Sequence, residues 1–167
     1  MTLSELNLLT KAEAREALAK CCGASNWVSR LLIRRPFKSE EEIEQLAEEI
    51  WFSLTPKDWL EAFGHHPKIG DTKSLGKKFA NTEAWSKDEQ KSVEVANESI
   101  LKNLVLLNEQ YEKKFGYIFI VCATGKSASE ILSLLKQRLT NSPKEELKIA
   151  MGEQNKITKL RLNKLLS

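Results

Sequence analysis

Apolar positions recur with a helical period over most of this chain. Ile43, Leu46, Ala47 and Ile50 make one stripe, and Val93, Ala96, Ile100, Leu104, Leu107 and Tyr111 make a longer one. Leu147, Ala150, Ile157, Leu160 and Leu165 make a third, less regular stripe. Polar start signals precede them. Ser39-x-x-Glu42, Ser86-x-x-Glu89 and Ser142-Pro143-x-Glu145 are capping-box patterns, and Thr55-Pro56 sets an N-cap before a proline at the first helical position. The pattern predicts helices over 10–22, 25–34, 39–53, 56–63, 86–115, 126–140 and 143–165.

Two segments break the period. Residues 64–85 are rich in Gly, Lys and Thr; a connection of about 20 residues without structure is long for a compact domain and is commonly functional or disordered. Tyr117 to Ala123 is an apolar, strand-prone run after Gly116 and before Gly125. No second strand candidate exists to pair with it, and an isolated strand leaves its backbone groups unsatisfied. The run is therefore an extended segment among helices, or one whose N–H and C=O groups meet a ligand. The expected fold class is all-α, a single compact multi-helix domain over residues 1–167 with this one extended segment.

Composition narrows the function classes. A length of 167 residues suits one domain, and 41% hydrophobic with 29% charged residues suits an ordinary globular protein. Lys plus Arg number 26 against 23 Asp plus Glu, a net charge of +3. That is too small and too mixed to argue for nucleic acid or an anionic membrane. No apolar run is long enough to span a bilayer, and Met1 to Glu5 lacks the basic and apolar regions of a secretory signal. Three cysteines, with Cys21 and Cys22 adjacent, are no disulfide framework, and the odd count suits a reducing compartment, so a cytoplasmic location is expected.

Candidate chemistry is sparse. The two histidines are His65 and His66, at the end of a predicted helix. Pro67 confines the backbone of His66 to extended conformations and so fixes its direction. Glu61 and His65 stand at i, i+4, but there are only two histidines, and Cys21, Cys22 and Cys122 lack paired zinc spacing, so no metal site is expected. Ser86 and Glu89 read first as a helix cap and nothing more; the alternative is a cap that also offers its free N–H groups to a docked anion, with Gln90 able to add an amide. Arg161 interrupts an apolar face; its spacing favours an exposed or snorkelling arginine over one holding a carboxylate. Lys136, Arg138 and Lys148 read as a solvated basic face. Cys21 and Cys22, ending a helix, read as buried packing residues.

Several stretches then align in order: Cys21-Cys22 with Trp27, Arg35-Pro36-Phe37, Trp51 before Leu54, Asp58-Trp59-Leu60-Glu61-Ala62-Phe63, His65-His66-Pro67-Lys68-Ile69-Gly70, Trp85-Ser86-Lys87-Asp88-Glu89-Gln90, Leu107-Asn108-x-x-Tyr111, Phe115 to Ala123, Arg138-Leu139-x-Asn141, and Lys156-Ile157-x-x-Leu160-Arg161-Leu162. Together they resemble the 2-oxo-4-hydroxy-4-carboxy-5-ureidoimidazoline (OHCU) decarboxylase family of urate degradation, from about Leu6 to Leu165. The loop 71–84 has no close match.

The resemblance implies an all-α homodimer without cofactor or metal, acting on the small molecule OHCU and delivering (S)-allantoin. It implies His66 and Glu89 as the catalytic pair, with His66 as proton donor. It further implies Pro67, Ser86, Gln90 and Arg161 around the substrate, and the backbone of Phe119, Ile120, Val121, Cys122 and Ala123 against the ring amides. Some relatives are fused to a hydroxyisourate hydrolase domain or carry a peroxisomal signal; this chain is expected to be the decarboxylase part alone. The rival classes are a helical binding module using the basic C-terminal helix and a metal hydrolase using Glu61 and His65.

Overall fold

In the computed structural model, residues 1–66 and 87–167 are described, with the helical backbone alone over 87–97. The expected all-α class holds: among the described residues there are eight helices and no strand. They are α1 (Leu3–Leu8), α2 (Lys11–Cys21), α3 (Ser25–Leu32), α4 (Glu40–Ser53), α5 (Pro56–Gly64), α6 (Lys87–Phe115), α7 (Ala128–Arg138) and α8 (Pro143–Leu166). Seven match the predicted helices to within about two residues at each end, the usual uncertainty of helix boundaries. The predicted helix 86–115 corresponds to α6, and its Ser86 cap lies outside the described residues.

Local capping explains the boundaries. Helix α1, absent from the sequence prediction, starts with Thr2 and Glu5 satisfying each other's backbone N–H groups, and Thr10 with Glu13 starts α2 in the same way. Ser127 and Glu130 form another such box, so α7 begins at Ala128, two residues after the predicted start. Ser142 and Glu145 close the predicted box ahead of α8. The Ser39 box forms only half: Ser39 accepts from the Glu42 N–H, while the Glu42 carboxylate accepts from the Lys38 N–H.

The chain divides into two compact units, Met1–His66 with Lys148–Ser167, and Pro67–Leu147. In the first, Leu6, Leu18, Trp27, Leu31, Ile43, Trp51, Phe63 and Leu162 are buried. Burial of an indole requires a partner for its N–H, and here those partners are carbonyls of neighbouring helices. Trp27 Nε1 donates to the Ala47 carbonyl at 2.9 Å, Trp51 Nε1 to Met151 at 2.9 Å, and Trp59 Nε1 to Trp51 at 3.0 Å. These three bonds tie α3 to α4, α4 to α8, and α5 to α4.

In the second unit, Leu104, Tyr111, Phe119, Ile131, Leu132 and Leu135 form a core between α6 and α7. Gly116 ends α6 with φ +83°, a left-handed conformation that costs a side chain-bearing residue more than glycine. The chain then runs as irregular backbone, neither helix nor strand, to a turn at Thr124 and Gly125.

Candidate functional site

The first unit carries His66 and Arg161. Helix α5 ends at Gly64, with His65 at the C-cap. The ring of His65 lies against Gly23, where an added Cβ would sit 2.5 Å from ring carbons Cδ2 and Cγ. The close approach therefore demands glycine at 23. Glu61 is not poised as a metal ligand with His65: its carboxylate accepts from the Ser25 N–H and hydroxyl at the start of α3. Among the described residues no group of three His, Cys, Asp or Glu side chains could hold a metal.

His66 is half-buried, and its Nε2 lies 2.6 Å from Gln154 Oε1 on α8. Gln154 Nε2 in turn donates to Thr158 Oγ1 at 3.2 Å, one helical turn on. Gln154 is 0% exposed and Thr158 2%. Thr158 neighbours Cys22, so the polar line from His66 ends at the C-terminus of α2. Burial raises the Cys21 and Cys22 thiols to about 11, which fits the packing role expected of them.

Arg161 Nη1 faces the last carbonyls of α2, 3.4 Å from Cys21 and 3.5 Å from Lys20. It is neither fully exposed nor paired with a carboxylate among the described residues; it meets the negative end of a helix. The lysines around it are partly engaged, Lys159 with Glu48 and Lys156 with Glu153.

The second unit carries the segment from Phe119 to Ala123. Arg138 Nη1 donates to the Ile120 carbonyl at 2.7 Å, and its guanidinium lies 4.5 Å from the centroid of the Phe119 ring. Lys126 takes the Cys122 carbonyl through Nζ at 3.0 Å and the Ala123 carbonyl through its backbone N–H at 3.0 Å. Phe119 also meets Tyr111 edge-on, with centroids 5.2 Å apart. Phe119, Ile120 and Cys122 are buried, while Val121 and Ala123 are half-buried. Three carbonyls are thus held by the protein. Among the described residues the N–H groups of Phe119, Ile120 and Val121 have no acceptor.

Arg138 overturns one expectation. It is not part of a solvated basic face but is 5% exposed, and it donates to Glu146 from Nε at 2.8 Å and from Nη2 at 2.6 Å. The same Glu146 accepts from the Tyr111 hydroxyl and from Asn141 Nδ2 at 2.9 Å. Burial, followed by the bond to Glu146, pushes the Tyr111 phenol up, so it remains protonated. Sequence reasoning missed Arg138, Glu146 and Gln154. Only the Arg138-Leu139-x-Asn141 motif pointed at the first of them.

Of the other expected site residues, Pro67 and Ser86 lie outside the described residues. Glu89 and Gln90 lie in α6, with side chains outside those described. His66 and Arg161 share the first unit, and Phe119 to Ala123 lie in the second.

Residues 7–163 match the OHCU decarboxylase family model, and the chain belongs to that family. It is 41% identical over 150 residues to the uric acid degradation bifunctional protein TTL of Arabidopsis thaliana, covering 88% of this chain and 45% of that one. The chain therefore spans less than half the length of that relative. It is 26% identical over 165 residues to the 2-oxo-4-hydroxy-4-carboxy-5-ureidoimidazoline decarboxylase of Haloferax volcanii, covering 97% and 94% of the two chains. A crystal structure of an OHCU decarboxylase in the presence of (S)-allantoin superposes with a TM-score of 0.72 at 39% identity, over 89% of this chain and 95% of that one.

Proposed function

We propose that this chain, as one decarboxylase domain over residues 1–167, removes CO2 from OHCU and delivers (S)-allantoin in urate degradation. The observation that carries the reading is the family match over residues 7–163, joined to the 39%-identical structure obtained with (S)-allantoin.

The chemistry asks little of a cofactor. The bond to the carboxylate breaks, its electron pair moves into the adjacent ring C=N, and that nitrogen takes up a proton. The resulting enol loses its hydroxyl proton as the carbon bearing the ureido group gains one. The face of that protonation sets the S configuration. His66 delivers this proton, a general-acid role, and Glu89 holds the imidazole. Ser86, Gln90 and Pro67 line the substrate. The Phe119, Ile120 and Val121 N–H groups, which lack acceptors among the described residues, receive the charge that develops on the ring, and the Cys122 and Ala123 backbone borders the ring amides.

Arg161 orients the substrate. A grip on the leaving carboxylate alone would stabilise the ground state more than the transition state, where that charge is lost. The enzyme works without cofactor, as a homodimer in the cytoplasm; its odd count of three cysteines suits that compartment.

The test is a coupled assay. Urate oxidase and hydroxyisourate hydrolase generate OHCU in situ, and this protein is added with EDTA present. Ultraviolet decay of OHCU faster than background, with a one-handed circular dichroism signal from allantoin, is expected. Decay at the spontaneous rate, with racemic product, overturns the reading. Sedimentation at the monomer mass would overturn the dimer.

A further inference from the structure

The buried face of α8 is unusually polar, and one of its residues touches the histidine on which the decarboxylase reading rests. We propose that Gln154 is a positioning residue for His66: its side-chain oxygen, oriented through Thr158, keeps Nε2 of His66 protonated and fixes the orientation of the ring.

The argument runs along the hydrogen bonds. A glutamine amide has one accepting oxygen and one donating nitrogen. Gln154 Nε2 donates to Thr158 Oγ1 at 3.2 Å, which leaves Oε1 facing His66 Nε2 at 2.6 Å. An amide oxygen can only accept, so the imidazole nitrogen opposite it must carry hydrogen. The Thr158 hydroxyl is free to accept from Gln154 because a helical threonine spends its own hydrogen on a carbonyl one turn back or on a neighbouring acceptor, here in the vicinity of Cys22.

Burial makes the arrangement binding. With Gln154 0% and Thr158 2% exposed, water does not compete for either group. An unmade bond there would leave a buried polar atom unsatisfied, at a cost of about 1–3 kcal/mol. The site thus gains a histidine of fixed tautomer and ring orientation, held by a neutral partner that adds no charge. A carboxylate at the same nitrogen would stabilise the imidazolium as well as orient it.

The inference rests on the decarboxylase reading, and its test separates the two. With only two histidines in the chain, two-bond 1H–15N correlation spectra of the labelled full-length protein identify the tautomer of each, with His65→Gln giving the assignment. The wild-type protein is expected to show neutral His66 as the Nε2–H form. Gln154→Leu is expected to lose that single form and to lower kcat by roughly 10- to 100-fold, the range for a misplaced catalytic group, with KM little changed. Gln154→Glu, whose carboxylate still accepts from Nε2–H, keeps the Nε2–H form and recovers part of the rate. A wild-type His66 in the Nδ1–H form overturns the inference, and so does a Gln154→Leu protein with unchanged spectrum and kcat. Should Gln154→Leu fail to fold, the wild-type spectrum still decides. A wild-type protein inactive in the coupled assay would overturn the decarboxylase reading, while the ring spectrum would still test the hydrogen bond.

Discussion

Arg138 and Glu146 form a buried ion pair, with Nε and Nη2 of the guanidinium both on one carboxylate oxygen, at 2.8 Å and 2.6 Å. A pair taken out of water stabilises a protein only when every other lone pair and proton is also satisfied. Here they largely are: Glu146 also takes Tyr111 and Asn141, and Arg138 Nη1 takes the Ile120 carbonyl. The pair thereby fixes the backbone of the segment proposed to bind the substrate ring. Its two residues lie on α7 and on the first turn of α8, eight positions apart in sequence.

Arg138→Met should therefore destabilise the protein by about 3–5 kcal/mol, because it leaves Glu146 charged and unpaired in the interior. Adding Glu146→Gln should recover much of that loss. Urea unfolding of the single and double variants measures both. A loss below about 1 kcal/mol in the single variant, the range of exposed pairs, would show that water reaches the site.

His66→Ala should lower kcat by roughly 10²- to 10⁴-fold in the coupled assay, the usual range for a lost general acid. Glu89→Gln separates chemistry from capping. Glutamine serves in a capping box, so stability should stay nearly unchanged, while the rate should fall by roughly 10-fold or more if the carboxylate holds the imidazole. A Glu89→Gln enzyme with the wild-type rate would leave Glu89 as a cap only.

The helices were legible because their signals are local. Thr55 before Pro56, Ser142 before Glu145 and the Ile43–Ile50 stripe each announce an element without reference to the rest of the chain. The break in the helical pattern at Phe119 was legible for a related reason: an apolar stretch with no partner strand contradicts its surroundings. What stayed hidden was the buried face of α8. Glu146, Gln154 and Thr158 are buried there, while Leu160 is 44% exposed. A search for apolar period reads such a face as solvent. Only the partners, Arg138 for Glu146 and His66 for Gln154, reveal it, and they lie far from any local window or read as surface charge themselves. The candidate site residues His66, Glu89 and Arg161 came from the ordered motifs of a family, not from period or charge.

Gly23→Ala should destabilise the first unit by about 1–3 kcal/mol, the cost of an extra carbon in a packed place. The new methyl would meet the His65 ring at 2.5 Å and the His65 Cβ at 2.8 Å, so the clash reaches too close to the backbone for a rotamer change to relieve it. Combining it with His65→Ala should restore part of the loss. Thermal or urea unfolding of the two variants gives the answer, and equal losses in both would mean that the strain lies elsewhere.

The paired cysteines set a last expectation. Burial holds the Cys21 and Cys22 thiols at about 11, up from 9.0. At pH 8 that leaves on the order of 100-fold fewer thiolates than an ordinary cysteine has, two units being two powers of ten. Since the thiolate is the nucleophile, a disulfide reagent should react slowly with these two thiols in the folded protein, and at once in urea. The same shift acts on stability. A group whose folded pKa is raised contributes stability that is fully present below its unfolded value. That contribution should be complete below pH 9 and be lost as pH rises towards 11, so urea midpoints should fall across that window. Substituting Cys21 and Cys22 with alanine should flatten the fall. Fast labelling of both thiols at pH 8 in the folded state would show instead that the end of α2 opens to solvent.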